Sequence, residues 1–153
     1  MKIRSMTASD EPAVREVVAG LSDWFDDDAR TRSIPVDLKH HTTFVADKGD
    51  DVVGFIALHV YNGRLDISWM GVRNDYRGKG IGTLLLHRAE ELGRAWGLRE
   101  LTTFTLGDTV EYEPYESTRR FYLKNGFEVY QRNQTDNPGC PEEWRLKKQI
   151  VQP

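Results

Sequence analysis

The spacing of hydrophobic residues predicts that the chain opens with a strand followed by a helix. Residues 2–6 alternate in a way that favours a short strand. Residues 9–21 carry a helix start, with Ser9 or Asp10 as the cap and Pro12 in the first turn. The apolar residues of this segment recur three or four positions apart, as on one helix face: Val14, Val17, Val18 and Leu21. We expect this face to be buried.

The following stretch is less regular and then changes to strand spacing. Residues 22–34 mix aromatic residues with aspartates, and we expect a loop that is broken at Pro35 before a short helix around Val36–His41. From Thr42 the chain becomes rich in β-branched residues with a period of two. Three strands joined by tight turns are predicted, as an antiparallel meander: residues 42–50, 51–62 and 64–72.

The second half of the chain predicts two more helices among three strands. Residues 81–96 form the clearest helix, ended by Gly97, with one apolar face: Ile81, Leu84, Leu85, Ala89, Leu92 and Trp96. The remaining predicted elements are a strand at 100–107, a helix at 115–124 and strands at 127–132 and 142–150. The alternation of strands and helices predicts one α/β domain over residues 1–153.

Composition narrows the classes of function. The 153 residues are 39% hydrophobic, and no apolar run is long enough for a membrane span, so we expect a cytoplasmic protein without a secretory signal. A net charge of -3 gives no general attraction to nucleic acid or to a membrane surface. The single cysteine, Cys140, supplies neither a disulfide nor a metal cluster. His40 and His41 are adjacent on an extended segment and would point apart, so we assign no metal.

A glycine-rich stretch between the strand ending near Val72 and the helix beginning near Ile81 predicts an anion site. Gly78, Gly80 and Gly82 leave backbone N–H groups free to converge on a ligand at a helix start. The helix dipole and the cations Arg77 and Lys79 would favour a pyrophosphate. A turn that serves only chain reversal is the alternative for a motif this short.

Two familiar phosphate motifs do not fit this stretch. A dinucleotide fingerprint needs its third glycine one residue later and a preceding parallel strand, whereas a hairpin meander precedes Gly78. A P-loop needs a glycine at position 73 and a lysine after its last glycine, but the chain has Arg73, and Lys79 precedes Gly80. Nicotinamide cofactors and nucleotide hydrolysis are therefore disfavoured.

The same residues resemble a known family, the GCN5-related N-acetyltransferases. Arg77, Gly78, Lys79, Gly80, Ile81 and Gly82 are similar to the family's coenzyme A loop. A second segment, TRRFYLKNGFEVY, resembles another family motif through Phe121, Tyr122, Gly126 and Phe127. The likeness covers roughly residues 2–150. It implies a mixed, mostly antiparallel sheet of six to seven strands, flanked by about four helices and splayed between its fourth and fifth strands.

The resemblance implies how acetyl-CoA would bind as cosubstrate. Its pantetheine arm would lie in the splay beside SWMGVR, where Gly71 is the expected bulge. The backbone N–H groups of Met70 and Val72 are expected to contact the thioester and the pantetheine. The pyrophosphate would contact the amides of the glycine loop and the hydroxyl of Thr83: Gly78, Lys79, Gly80, Ile81 and Gly82.

The resemblance also suggests the catalytic groups. Tyr122 matches the family's tyrosine that protonates the departing thiolate, while Phe121 is expected to be the core residue of the pair. A general base must take the proton of the acceptor ammonium. By strand alternation Asp66 shares a face with Met70, so Asp66 is ranked first; the other candidates are His59, Asp108, Glu111 and Glu113.

Two positions depart from the family's second motif. Tyr115 and Thr118 stand where many members have asparagine and alanine, so an asparagine contact to pantetheine is not carried over. Tyr115 and Thr118 could instead contact the cofactor or the substrate, or serve as a surface cap and a threonine on the helix face. The aspartates around Trp24 could attract a cationic amine, but a solvated acidic loop is the favoured interpretation.

These observations lead to two alternative functions. The first is an N-acetyltransferase acting on a small-molecule or protein amine. The second is a catalytically inactive acyl-CoA sensor or partner module; O-acyl transfer is a weaker third. The resemblance leaves a homodimer open, and Trp144 on the last strand fits either a dimer contact or a buried aromatic.

Overall fold

The computed structural model describes residues 1–152 and has four α-helices and seven strands within them. The strands are β1 (Lys2–Ser5), β2 (Thr42–Asp47), β3 (Val52–Tyr61), β4 (Arg64–Val72), β5 (Glu100–Leu106), β6 (Glu128–Gln134) and β7 (Glu142–Gln149). The helices are α1 (Glu11–Ala19), α2 (Ile34–His40), α3 (Ile81–Ala95) and α4 (Glu113–Lys124). None of these helices is long and apolar enough to cross a membrane.

The strands form one mixed sheet in the order β1-β2-β3-β4-β5-β7-β6, which confirms the predicted fold class. All neighbouring pairs are antiparallel except β4 and β5, which run parallel. The parallel pair is joined only at Leu65 with Leu101 and at Asp66 with Thr102. Beyond Asp66 the two strands separate, so the sheet is open at the carboxyl ends of β4 and β5, as the resemblance implied.

Two hydrophobic cores cover the two faces of this sheet. On one face, α3 and α4 pack on the central strands, and Leu65, Ile67 and Tyr122 belong to that core. On the other face, α1 and α2 pack on β2 and β3, together with Phe55 and the partly buried Trp69. We call these the α3–α4 face and the α1–α2 face. The side chains that border the opening therefore lie on one or the other of these two faces.

A β-bulge in β4 changes which residues share a face. Ala57 pairs with Trp69 and Leu58 with Ile67, so Ser68 is the extra residue. The prediction of a bulge at Gly71 is wrong. Gly71 is required for another reason, because a Cβ there would lie 2.6 Å from Leu21 Cδ1, which packs against this part of the strand.

The bulge also overturns the predicted alignment of Asp66 with Met70. Ile67 and Met70 both pack on the α3–α4 core, although they are three residues apart. Asp66, in contrast, is opposite His59 on the α1–α2 face. One extra residue reverses the alternation, so Asp66 and Met70 lie on opposite sides of the sheet.

Three smaller expectations about helices also need correction. Pro35 does not break the chain but lies in the first turn of α2, which begins at Ile34. On α3, Leu84 and Trp96 are exposed, and the buried positions are Ile81, Leu85, Leu86, Ala89 and Gly93. Tyr122 rather than Phe121 is the fully packed member of its pair.

Candidate active site

The glycine loop before α3 presents a row of unbonded backbone N–H groups. Gly78 and Gly80 have φ values of 74° and 81°, in the left-handed region that favours glycine, and a Cβ on either would meet open space. Within residues 1–152, no backbone or side-chain oxygen accepts a hydrogen bond from the amides of residues 78–80. The first amides of α3 have no partner inside the helix. The loop can therefore hold an anion.

Gly82 brings α3 close to α4 below this loop. A Cβ at Gly82 would lie 2.9 Å from Cε1 and Cζ of Phe121. The Phe121 ring in turn packs edge-on against Tyr122, with centroids 5.3 Å apart. The absence of a side chain at Gly82 thus allows the helix that starts at the anion loop to pack against the helix that carries the tyrosine.

The amides of Met70 and Val72 are directed into the opening. Arg73 N–H donates to the carbonyl of Val53 at 2.8 Å, so position 73 hydrogen-bonds towards β3. Along an antiparallel strand the bonding direction alternates, which turns the N–H groups of Val72 and Met70 away from β3 and towards β5. The strand that would pair with them there has already separated. This geometry is compatible with a ligand that pairs with β4 as an additional strand.

Residues 22–28, which we call the 22–28 loop, close one end of the opening. The indole N–H of Trp24 donates to the Pro114 carbonyl at 3.0 Å and to Thr118 Oγ1 at 3.1 Å. The Tyr115 hydroxyl donates back to the Trp24 carbonyl at 2.8 Å. The loop packs on the α1–α2 face and α4 on the α3–α4 face, so the two can meet only past the separated strands.

The two residues that depart from the family motif thus have a structural explanation. Tyr115 and Thr118 both hydrogen-bond to Trp24 and so join α4 to the 22–28 loop across the opening; we call this contact the bridge. Burial raises the pKa of Tyr115 to about 12, so its hydroxyl stays protonated as a donor. The predicted phosphate ligand Arg77 also contacts this bridge, with its guanidinium 4.3 Å from the Trp24 ring and 3.2 Å from Ser117 Oγ.

The other predicted cofactor residues lie around the loop. Lys79 Nζ is 5.1 Å from the centre of the Tyr76 ring and stands at the surface beside the free amides. The Thr83 hydroxyl donates to Asn125 Oδ1 at 3.1 Å, which joins α3 to the end of α4. A phosphate contact from Thr83 would have to replace that bond.

Tyr122 lies under the opening on the α3–α4 face. Its side chain is 7% exposed and packs against Phe121 and Phe127. Burial raises the pKa of the phenol to about 12; the Asp66 carboxylate acts in the same direction, while the neighbouring Thr103 hydroxyl acts against it. The phenol is therefore a protonated donor beside the separated strands.

Asp66 occupies the last paired position before β4 and β5 separate. Thr102 Oγ1 donates to Asp66 Oδ1 at 2.8 Å and joins the two strands there. Burial raises the pKa of this carboxyl above its usual value, and the hydrogen bond from Thr102 partly opposes the effect. Asp66 and Tyr122 lie on opposite faces of the sheet, and the Asp66 carboxylate is close enough to raise the pKa of the Tyr122 phenol.

A histidine pair that the sequence did not connect lies next to Asp66. Ser68 Oγ is 2.7 Å from His41 Nδ1 and 2.8 Å from His59 Nδ1. The two rings stack with centroids 4.7 Å apart, and His59 Nδ1 is 3.9 Å from Asp66 Oδ2. The bulge at Ser68 brings the serine hydroxyl within hydrogen-bonding distance of both rings, and no sequence period marks a bulge in advance.

The remaining candidates for a base lie elsewhere. Asp108, Glu111 and Glu113 are exposed, and Glu113 lies 3.8 Å from Arg120 of its own helix. The acidic loop, which the sequence favoured as a solvated loop, is exposed at Asp26, Asp27 and Asp28 and also has local contacts. Its aspartates cap or neutralise the turn that follows: Asp26 accepts from Ala29 N–H, Asp27 pairs with Arg30 and Asp28 pairs with Arg32.

Comparisons with solved structures agree on the fold. A protein from Desulfovibrio desulfuricans assigned to the GNAT family is 22% identical, with a TM-score of 0.83 over 98% of this chain and 99% of that one. The ribosomal-protein-S18-alanine N-acetyltransferase from Escherichia coli is 14% identical, with a TM-score of 0.78 over 99% and 95%. An aminoglycoside 6'-N-acetyltransferase in complex with coenzyme A is 16% identical, with a TM-score of 0.77 over 100% and 99%.

Sequence comparison identifies the family. No curated protein matches the chain. The family model of the acetyltransferase (GNAT) domain matches residues 39–129, which include the splayed strands, the glycine loop and Tyr122. Together with the seven-stranded sheet and its single parallel pair, this match shows that the chain belongs to the GNAT family of acetyltransferases.

Proposed function

We propose that this protein transfers the acetyl group of acetyl-CoA to a primary amine, by direct attack of the amine on the thioester within a ternary complex. The observation that carries the proposal is the opening between β4 and β5. Unbonded amides of the glycine loop lie at one end of it and the buried phenol of Tyr122 lies beside it. A solved structure of the same fold contains coenzyme A, which supports this choice of cosubstrate.

The residues around the opening fit the parts of the cosubstrate. The amides of residues 78–82 would bind the pyrophosphate, with Arg77 and Lys79 adding positive charge. The amides of Met70 and Val72 would bind the pantetheine arm and the thioester carbonyl. Because the carbonyl oxygen becomes negative as the amine attacks, an N–H group directed at it stabilises the transition state more than the substrate.

Two groups on opposite faces would handle the protons. Tyr122 would donate to the sulfur as the C–S bond breaks, since its raised pKa keeps the phenol protonated until negative charge develops there. Asp66 places a carboxylate on the other face, where the proton of the acceptor ammonium would be removed, by this carboxylate or by a neighbouring group that it assists. Attack and departure would then take place on different sides of the sheet.

The Tyr122→Phe variant tests the proposal. Phenylalanine keeps the packing against Phe121 and Phe127, so the melting temperature and the affinity for acetyl-CoA should change little. The value of kcat should fall by roughly 10²- to 10⁴-fold, the usual contribution of a general acid. Turnover is measured as thiol release across a panel of primary amines, and mass spectrometry of the product identifies the acetylated nitrogen.

The wild-type protein also separates the proposal from its alternative. Binding of coenzyme A without turnover of any amine in the panel would favour an acyl-CoA sensor. A Tyr122→Phe variant with unchanged kcat would show that the thiolate leaves without this phenol, and the assignment of Tyr122 would be withdrawn.

A further inference from the structure

The group that first accepts the ammonium proton can be inferred from the cluster around Ser68. This inference rests on the proposed acetyl transfer and concerns the α1–α2 face of the opening. The Ser68 hydroxyl touches the Nδ1 atoms of both His41 and His59. Because a hydroxyl carries one proton, it donates to one ring and accepts from the other.

The surroundings decide which ring donates. His41 Nε2 faces the carboxylate of Asp37 at 3.8 Å, so the proton of a neutral His41 is favoured at Nε2 and its Nδ1 is left to accept from Ser68. Burial lowers the pKa of His41, which favours this neutral form. The Ser68 oxygen then accepts from His59 Nδ1–H.

The same arrangement leaves His59 with an unprotonated Nε2. Its Nδ1–H points towards Ser68, and Nδ1 lies 3.9 Å from Asp66 Oδ2. The His59 side chain is 34% exposed, so solvent and an acceptor can reach the ring. Asp66 is less suited to accept the proton directly, because its side chain is more buried and Oδ1 already accepts from Thr102.

We propose that His59 Nε2 is the general base of the acetyl transfer, that Ser68 and His41 hold its tautomer, and that Asp66 stabilises the imidazolium that forms. Asp66 thus acts through His59 and is a positioning residue. Trp69, the next residue after Ser68, is held by its indole N–H to Asp37 Oδ2 at 2.7 Å, which joins the same cluster to α2.

The protons balance in the following way. An N–H bond of the ammonium breaks, and the proton binds His59 Nε2. The freed nitrogen lone pair forms the new C–N bond, and the C–S bond then breaks. The thiolate takes a proton from Tyr122, the protonated amide nitrogen loses its second proton to solvent, the phenolate regains a proton from solvent, and His59 releases its proton to solvent, so that one proton is released in total.

The first test compares acceptors that do and do not need deprotonation. His59→Asn keeps a polar group near Ser68 but has no base. Its kcat with an alkyl ammonium acceptor should fall by about 10²- to 10⁴-fold, whereas transfer to hydroxylamine, whose nitrogen is unprotonated at neutral pH, should be largely retained. His87→Asn, at an exposed position of α3, is the matched control and should behave as the wild type.

Chemical rescue adds a measurement that a structural role would not change. In His59→Ala, added imidazole should restore a substantial part of kcat, while in Ser68→Ala, which keeps the His59 ring, it should not. The KM for acetyl-CoA should stay the same in all of these variants. Equal losses with the alkyl amine and with hydroxylamine, or no loss with either, would overturn the role of His59.

The tautomers can be tested without turnover. Long-range ¹H–¹⁵N spectra of the wild-type side chains should show a proton on Nδ1 of His59 and on Nε2 of His41, and Ser68→Ala should shift the His59 signals. A proton on Nε2 of His59 would contradict the inference. If the wild type acetylates no amine at all, the proposed function fails and the base with it; an active wild type with an unaffected His59→Asn refutes the base alone.

Discussion

The close approach of α3 to α4 at Gly82 gives a prediction with a calculable size. In Gly82→Ala, the new Cβ would lie 2.9 Å from two atoms of the Phe121 ring. The ring cannot move freely, because it packs against Tyr122, which packs against Phe127 with centroids 5.1 Å apart. Overpacking of this kind costs about 1–3 kcal/mol. The better helix propensity of alanine returns up to about 1 kcal/mol, so a net loss of about 1 kcal/mol is expected.

For a chain of this length, that loss corresponds to a fall of about 2–4 °C in melting temperature, measured by calorimetry or circular dichroism. The KM for acetyl-CoA should rise as well, because the amides of the glycine loop move with the start of α3. A double-mutant cycle with Phe121→Leu, which removes the ring atoms in question, should show a coupling of about 1 kcal/mol. A melting temperature at or above that of the wild type, or additive effects in the cycle, would refute the argument.

Two further predictions concern the glycine loop and the ion pair between the edge strand β1 and the start of α1. Gly80→Ala should raise the KM for acetyl-CoA and cost about 1–2 kcal/mol in urea denaturation, because position 80 has a φ of 81°; a variant without either effect would contradict the need for glycine there. Asp10→Asn should lower the urea midpoint at pH 7, since Arg4 donates to both oxygens of the buried Asp10 carboxylate at 2.8 and 2.9 Å and holds its pKa well below the ordinary 3.8. This stabilisation is present above pH 3.8 and is lost as the pH falls towards the lowered pKa, so the difference between the variant and the wild type should shrink at pH 3; an unchanged difference would contradict the assignment.

The sequence predicted the elements well because their signals are local. The hairpin turn at Asn62 and Gly63 adopts positive φ at both positions, as the Asn-Gly pair required. The turn from β4 into α3 likewise depends on local residues, because Gly78 and Gly80 adopt positive φ there. In contrast, the exposed positions of Leu84 and Trp96 on α3 depend on which neighbours cover the helix, and the pattern of apolar residues does not contain that information.

The errors at the site have one common source. The sequence offered Gly71 as the place for a bulge, but glycine in a strand serves equally where another element comes close, and Leu21 does so here. Once the bulge is at Ser68, every later residue of β4 changes side relative to the prediction. His41 directly precedes β2 and His59 lies in β3, so the pairing of these strands stacks their rings, and the bulge adds the serine hydroxyl that contacts both.

The bulge also explains how one strand can serve both halves of the proposed reaction. If the side chains of β4 alternated without a bulge, Asp66 would lie on the same face as Met70. That face carries the core that contains Tyr122. The extra residue instead leaves Asp66 and Ser68 on the α1–α2 face with His59 and returns Met70 to the α3–α4 face. The proposed base, His59, and the proposed acid, Tyr122, therefore lie on opposite faces of the sheet. Removing Ser68 from the chain should keep Asp66 opposite His59 and Met70 on the other face, because Ile67 and Trp69 already pair with the adjacent residues Leu58 and Ala57. The deletion should therefore remove the serine contacts to both histidines while the pairing of β3 with β4 persists, which amide hydrogen exchange of the variant checks; a loss of protection along β4 would refute this account of the bulge.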